Sequence, residues 1–89
     1  MHQHRTAGVP HPDSPAFRVQ RAVLLELLVD PPEAGDPIGD LPRRLGATSR
    51  DVDAAVAALV RAGAAEARAG FVRASSPARY VAALGLVAA

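Results

Sequence analysis

The side chains in this sequence with the chemistry to bind or react are few and unevenly placed. His2, His4 and His11 all fall in the first fifteen residues, but a close pair with one distant His and no cluster of carboxylates does not predict a metal site. Neither Ser49 nor Ser76 has a His close in sequence, and no two acids are spaced to share an apolar pocket. We therefore expect no metal, no cofactor and no catalytic site, so the protein is not predicted to be an enzyme.

The ten basic residues are all arginines. A guanidinium donates paired hydrogen bonds to phosphate or guanine, which makes Arg a candidate nucleic-acid contact. The alternative is a GC-rich genome, which also explains the abundant Ala, Gly and Pro and the absence of Asn. The net charge of +1 does not indicate a strongly basic surface. The charge is uneven along the chain, however: residues 38–89 have seven Arg and four acids, or +3, and residues 1–37 have three Arg and five acids, or −2.

Length and composition allow one small domain with one core. The chain has 89 residues, 49% of them apolar, and no Cys, which excludes a disulfide scaffold and cysteine-ligated metal sites. Twenty of the 44 apolar residues are Ala, and the 24 larger ones suffice for a core without a deep cleft. The apolar run at residues 22–29 is too short for a bilayer and follows no signal-peptide pattern, so we expect a soluble, cytoplasmic protein without a membrane partner.

Residues 1–15 are predicted to form a flexible tail and residues 16–89 the folded domain. The tail is rich in His and Pro and has almost no large apolar side chain, so it cannot offset the entropy lost on ordering. Ser14-Pro15 predicts the N-cap and first position of a helix that runs to about Val29. Its inner face is predicted to hold Phe17, Val19, Val23, Leu24, Leu27 and Leu28.

Breaker residues predict a polar loop over residues 30–37. A short helix is expected at residues 40–45, with Gly46 as its C-cap. A longer helix is expected at residues 49–62, where Thr48 is the N-cap and Asp51 completes a capping-box-like pair. The inward positions of this helix are predicted to be Val52, Val56, Leu59 and Val60.

The helical period breaks at residues 64–74, where Ala69-Gly70 predicts a two-residue hairpin turn. With that turn, Arg68 faces Phe71, and Glu66 faces Arg73 in an opposite-charge pair.

A final helix is predicted to open at Ser75 or Ser76. It carries Tyr80, Leu84 and Val87 in one stripe, which we expect to cover Leu25 and Val29 on the first helix because that helix is apolar nearly all round. Tyr80 is accordingly expected to be a core aromatic with its hydroxyl at the surface.

One stretch, LPRRLGATS at residues 41–49, is followed by Val52, Val56, Leu59-Val60 and Gly63, and resembles the winged helix-turn-helix family. That family has a Leu-xxx-Leu-Gly turn, a Ser or Thr before its second helix, and a Val-rich run leading to a Gly before the wing. The likeness covers residues 16–76 and is to small stand-alone regulators of the kind common in actinobacteria. It implies a mainly α, α+β fold with a three-helix core, a short two-stranded wing and a C-terminal helix.

The resemblance also implies a sequence-specific transcriptional regulator that binds double-stranded DNA. Residues 49–62 would enter the major groove, and the wing at residues 66–73 would contact the backbone or the minor groove. The outward stripe of the second helix includes Ala positions suited to a thymine methyl and Arg positions suited to guanine. The implied DNA-binding residues are Arg43, Thr48, Ser49, Arg50, Asp53, Ala54, Ala57, Arg61, Arg68 and Arg73.

Other partners stay open at this point. The small side chains of Ala54, Ala57 and Ala58 would let another helix approach, so the alternative is a winged-helix protein–protein interaction module that does not bind DNA. Arg50 has an alternative partner in Asp53, three residues on. The apolar residues 86–89 predict a homodimer formed through the C-terminal helix.

Overall fold

A computed structural model describes residues 14–29 and 35–85. The predicted tail before residue 14, with its three His, and the apolar residues 86–89 lie outside this range. The elements are α1 (Pro15–Leu28), β1 (Asp36–Pro37), a single 3₁₀ turn (Ile38–Asp40), α2 (Leu41–Leu45), α3 (Ser49–Arg61), β2 (Ala65–Arg68), β3 (Phe71–Ala74) and α4 (Ser76–Ala83). A mainly helical α+β fold with a small antiparallel sheet is therefore confirmed.

The three longer helices begin at a hydroxyl cap, as predicted. The capping oxygens of Ser14, Thr48 and Ser75 accept hydrogen bonds from the backbone N–H groups of Phe17, Asp51 and Ala78 at 3.1, 3.0 and 3.2 Å. Such a cap stabilises a helix by about 1 kcal/mol because it satisfies an N–H that has no partner within the helix. The end of α2 is also as predicted, with Gly46 as its C-cap.

The core lies where α1, α2 and α3 meet the inner face of the sheet. All three helices and the hairpin contribute to it, and its buried members are Val23, Leu27, Leu41, Val52, Ala55, Val56, Leu59, Ala65, Val72 and Ala74. Each of the large side chains among them contributes on the order of 1.5–3 kcal/mol by leaving water. The expected three-helix core is present, with Val23 and Leu27 as the buried residues of α1.

The expectation that the last helix covers the first one is wrong. None of the residues 76–83 that form α4 is buried, and Tyr80 is 66% exposed, so it is not a core aromatic. Val29 is 71% exposed and Leu25 half-buried. The reason is where α4 starts: Ser75 donates a hydrogen bond to the Gly63 carbonyl at 2.7 Å, which holds the start of α4 at the end of α3.

The predicted polar loop ends in a strand, which corrects its boundary. Asp36 pairs with Val72 and Pro37 with Phe71, so the sheet has three strands in the order β1-β3-β2 rather than the two expected. Proline has no backbone N–H. It is tolerated here because β1 lies at the edge of the sheet and pairs with a neighbour on one side only.

Gly35 sets how closely the chain approaches the sheet before β1. Its φ is +92°, and a Cβ added there would lie 2.8 Å from the Val72 carbonyl oxygen. A side chain would therefore both strain the backbone and collide with β3. The close approach of the chain to β3 just before β1 therefore requires glycine at position 35.

We expect Gly35→Ala to lower the free energy of unfolding by about 2–4 kcal/mol, from the positive φ and the collision together. Gly39→Ala is the matched control, because a Cβ at Gly39 meets nothing within 4 Å. Urea denaturation followed by far-UV circular dichroism measures both. Equal losses in the two variants would contradict the close approach at Gly35.

Candidate nucleic-acid interface

The solvent-facing side of α3 carries the residues that the sequence singled out. Thr48 and Ser49 at its start are exposed, and so are Arg50, Asp53, Ala54, Ala57 and Arg61 along it. Asp53, Ala54, Ala57 and Arg61 follow Arg50 by three, four, seven and eleven residues. In an α-helix this spacing places all five on one side, opposite the core. Ala58, which flanks this stripe, is half-buried.

Val60 was predicted to point inward, and this is wrong, because it is 40% exposed. The buried face of α3 consists of Val52, Ala55, Val56 and Leu59. At 100° per residue, position 60 lies about 90° from the centre of that face, so it falls at its edge. Ala55 instead extends the buried face on the side away from Val60.

Ala54 lies at the border between α3 and α1 rather than in the middle of the exposed stripe. It lines a recess of about 130 Å³ together with Asp51, Ala55 and the first turns of α1, which contribute Pro15, Ala16, Val19 and Gln20. The freely accessible part of the stripe is consequently formed by Arg50, Asp53, Ala57 and Arg61.

The candidate arginines differ in whether a carboxylate already holds them. Arg73 Nε lies 3.0 Å from Glu66 Oε1, which confirms the predicted cross-strand pair. Arg43 approaches Asp40 only at 3.8 Å and is mostly exposed. The suggested pairing of Arg50 with Asp53 is not observed, which corrects that expectation.

Within residues 14–29 and 35–85, three of the candidates form no ion pair: Arg50, Arg61 and Arg68. Their charges are available to an anionic partner without breaking an existing contact.

The hairpin turn is formed as predicted. Ala69 and Gly70 have φ values of 54° and 83°, the left-handed conformation that a two-residue turn needs at both positions. Arg68 pairs directly with Phe71 across the turn, so its side chain lies at the tip of the hairpin. The turn is held from the third strand as well, because the Ile38 backbone N–H donates to the Gly70 carbonyl at 2.9 Å.

Arg44, which no sequence motif singles out, positions α2. Its guanidinium forms ion pairs with Glu26 on α1 and, at 3.0 Å, with Asp36 on β1. Hydrogen bonds to Glu26 first and to Asp36 second raise the pKa of Arg44 above its ordinary value. Asp36 is only 6% exposed, so its charge has Arg44 in place of water.

No local sequence signal separates Arg44 from the neighbouring Arg43. The two are of the same type on the same short helix, and only the long-range arrangement of α1 and β1 gives one of them two carboxylates.

Other kinds of site find little support in the described part of the chain. Its side chains include no group of three or more that could hold a metal ion. No helix formed by these residues is long and apolar enough to cross a membrane.

Comparison of the chain with known protein families, with curated proteins and with solved structures gives no match.

We expect Arg44→Gln to lower the midpoint of thermal unfolding clearly, because it leaves the buried Asp36 carboxylate without a partner. The matched control is Arg43→Gln, which removes the same charge from the same helix at a mostly exposed position. Differential scanning calorimetry of both variants measures the difference. If the two midpoints shift alike, Arg44 has no special role in anchoring α2.

Proposed function

We propose that this chain is a winged-helix, sequence-specific DNA-binding transcriptional regulator of the cytoplasm. In this proposal α2, residues 46–48 and α3 form the helix-turn-helix, and the β2–β3 hairpin is the wing. The observation that carries it is the exposed side of α3 with Arg50 and Arg61, combined with Arg68 at the hairpin tip. None of these three arginines forms an ion pair with a residue in the described part of the chain.

The dimensions of α3 suit a major groove. Arg50 and Arg61 are eleven residues apart, which at 1.5 Å per residue separates them by about 16 Å along the helix axis. The groove is about 12 Å wide, so the two arginines can reach base edges or phosphates at opposite ends of the helix. Between them, Ala57 is small enough to let the helix backbone approach and to contact a thymine methyl.

Phosphate contacts would come from around α3. Ser49 lies in the first turn, where backbone N–H groups favour an anion, while the Thr48 hydroxyl already caps the helix. Arg43 on α2 and Arg68 on the wing add positive charge on either side. Arg73 would have to exchange Glu66 for phosphate, and Asp51 and Asp53 oppose an anion, so the electrostatic term of one chain is modest.

For the wild-type protein we expect binding to mixed-sequence duplex DNA that weakens steeply with salt, because each neutralised phosphate contributes about 0.9 to the slope of log K against log salt. Replacing Arg50 and Arg68 together with Ala should reduce that slope by up to about 2 and weaken binding at low salt by about tenfold or more. Fluorescence anisotropy across a salt series measures both quantities.

The control for this experiment is the pair Arg18→Ala and Arg21→Ala, which removes the same charge from exposed positions on α1. It should leave the slope nearly unchanged. Negligible wild-type affinity at low salt, or equal losses in the two double variants, would contradict DNA binding through α3 and the wing.

A second candidate function is a winged-helix protein–protein interaction module. It is favoured by the exposed Val60 beside Ala57, since an apolar stripe on α3 suits another protein better than a hydrated groove. The same titration separates the two functions, because an interaction module would not bind duplex DNA at low salt.

We further propose that two copies associate through α4 to form a homodimer. Tyr80, Val81 and Leu84 form an exposed apolar stripe on a helix that buries none of its residues 76–83 in its own domain. The partner that this fits is a second copy, because pairing by two-fold symmetry would cover both stripes and double the modest charge available to DNA.

Leu84→Asp should convert the dimer into a monomer, because it places a charge in the centre of the contact. Val29→Asp is the control, as Val29 is an apolar residue on another element that is even more exposed than Leu84, at 71% against 57%. Sedimentation velocity over a concentration series measures the association state. A wild-type protein that stays monomeric at high concentration would overturn the dimer.

A further inference from the structure

One face of the hairpin carries four large side chains that the proposed function uses only in part. The pairing register sets Glu66 opposite Arg73 and Arg68 opposite Phe71. Because side chains alternate along a strand, these four lie on the same side of the sheet, opposite the side that buries Val72 and Ala74. We call this side the wing face: Glu66, Arg68, Phe71 and Arg73.

Phe71 is unusual on this face. It is one of only three aromatic residues in the chain, yet it is 41% exposed at the end of a well-packed strand. Its neighbours on the face are Arg68 directly across and Arg73 two residues along, so Phe71 has an arginine at both adjacent positions of the face. The surrounding residues 66–69 and 71–73 line an open recess of about 420 Å³.

The face is held rigidly. The Arg73–Glu66 ion pair joins the two strands on one side of Phe71, and Pro37 of β1 pairs with Phe71 on the other. The Ile38–Gly70 hydrogen bond fixes the turn. A ligand that stacks on Phe71 would therefore lose little binding free energy to ordering the site.

The chemistry of the recess selects a planar ligand that carries negative charge. The exposed ring of Phe71 offers a stacking surface. The guanidinium of Arg68 attracts an anion, and the carboxylate of Glu66 accepts hydrogen bonds from an amino group. A nucleobase with its phosphate combines these three properties. In an intact duplex, however, both faces of each base are already stacked, so only an unpaired base can occupy the site.

We infer that the wing face binds an unpaired nucleobase of single-stranded or locally opened DNA. Phe71 stacks on the base, Arg68 contacts the adjoining phosphate, and Glu66 with Arg73 forms the rim. The inference deepens the proposed function in that it takes DNA as the partner, but it uses a face that is separate from α3.

The experiment compares three fluorescently labelled probes by anisotropy: a short single strand of mixed sequence, the matching duplex, and that duplex with one bulged base. Phe71→Leu should weaken binding to the single strand and to the bulged duplex by about fivefold to a hundredfold, and leave the intact duplex nearly unchanged. Phe71→Trp should retain or strengthen single-strand binding, because the stacking ring is kept.

Val29→Ala is the control, since it shortens an exposed apolar side chain at the end of α1, on an element that belongs neither to the wing face nor to the proposed dimer contact. It should leave all three affinities unchanged. Circular dichroism of Phe71→Leu and Phe71→Trp establishes that both are folded.

The inference and the proposed function fail in different ways. Intact-duplex binding that Phe71→Leu does not alter, combined with single-strand binding that it also does not alter, overturns the wing-face site alone. Single-strand binding that needs Phe71, in a protein with no duplex affinity, supports the wing-face site and overturns the reading of duplex DNA by α3.

Discussion

The buried charge of Asp36 is the constraint around which this small domain is arranged. A carboxylate removed from water is unfavourable unless a cation and hydrogen bonds replace the solvent. Arg44 supplies both, and its second ion pair, to Glu26, extends the contact to α1. One guanidinium thereby ties a strand and two helices together in a domain whose core contains few large side chains. Removing it would leave the charge in place and take away its compensation.

From this anchor the geometry of both candidate DNA-contacting surfaces follows. Arg44 fixes α2, and the turn after α2 leads directly into α3, so the orientation of the exposed side of α3 is set from α1 and β1. The strand that carries Asp36 also pairs with β3, and its continuation at Ile38 holds the Gly70 carbonyl at the hairpin turn. The segment at residues 36–38 thus contacts α2 through Arg44 and the wing face through Phe71 and Gly70. This coupling arises from a two-residue strand, which local propensity would assign to a loop.

The features that could be predicted from the sequence depend on residues that are close together in the chain. The caps at Ser14 and Thr48 and the turn at Ala69-Gly70 depend on residues within four positions of one another, and all three were predicted correctly. Apart from Val60, which the period of α3 itself places at the edge of the buried face, the features that the sequence did not predict have long-range causes. The partner of Arg44 on α1 is eighteen residues away, and the strand at residues 36–37 exists only because β3 is beside it. The exposure of Tyr80 likewise follows from where Ser75 starts α4, which periodicity within the helix does not encode. In the candidate site, the period of α3 gave the exposed stripe and the hairpin register gave the Arg73–Glu66 pair. The pairing of Arg43 with Asp40, and the absence of an Arg50–Asp53 pair, do not follow from spacing, because both pairs have the same separation of three residues.

The uneven use of arginine means that the proposed binding to DNA would need more than one point of attachment. Arg44 is committed to the fold and Arg73 to Glu66, while acids at positions 51 and 53 oppose an anion at the start of α3. A single α3 therefore has too little free charge to hold a duplex by electrostatics alone, and a chain of net charge +1 gains little from long-range attraction. In the proposed function, affinity for DNA would then come from short-range contacts or from a second copy of the chain. The proposed stacking at Phe71 is a short-range contact, and it would depend little on salt. The proposed pairing of two copies through α4 would double every contact without adding charge to the single chain.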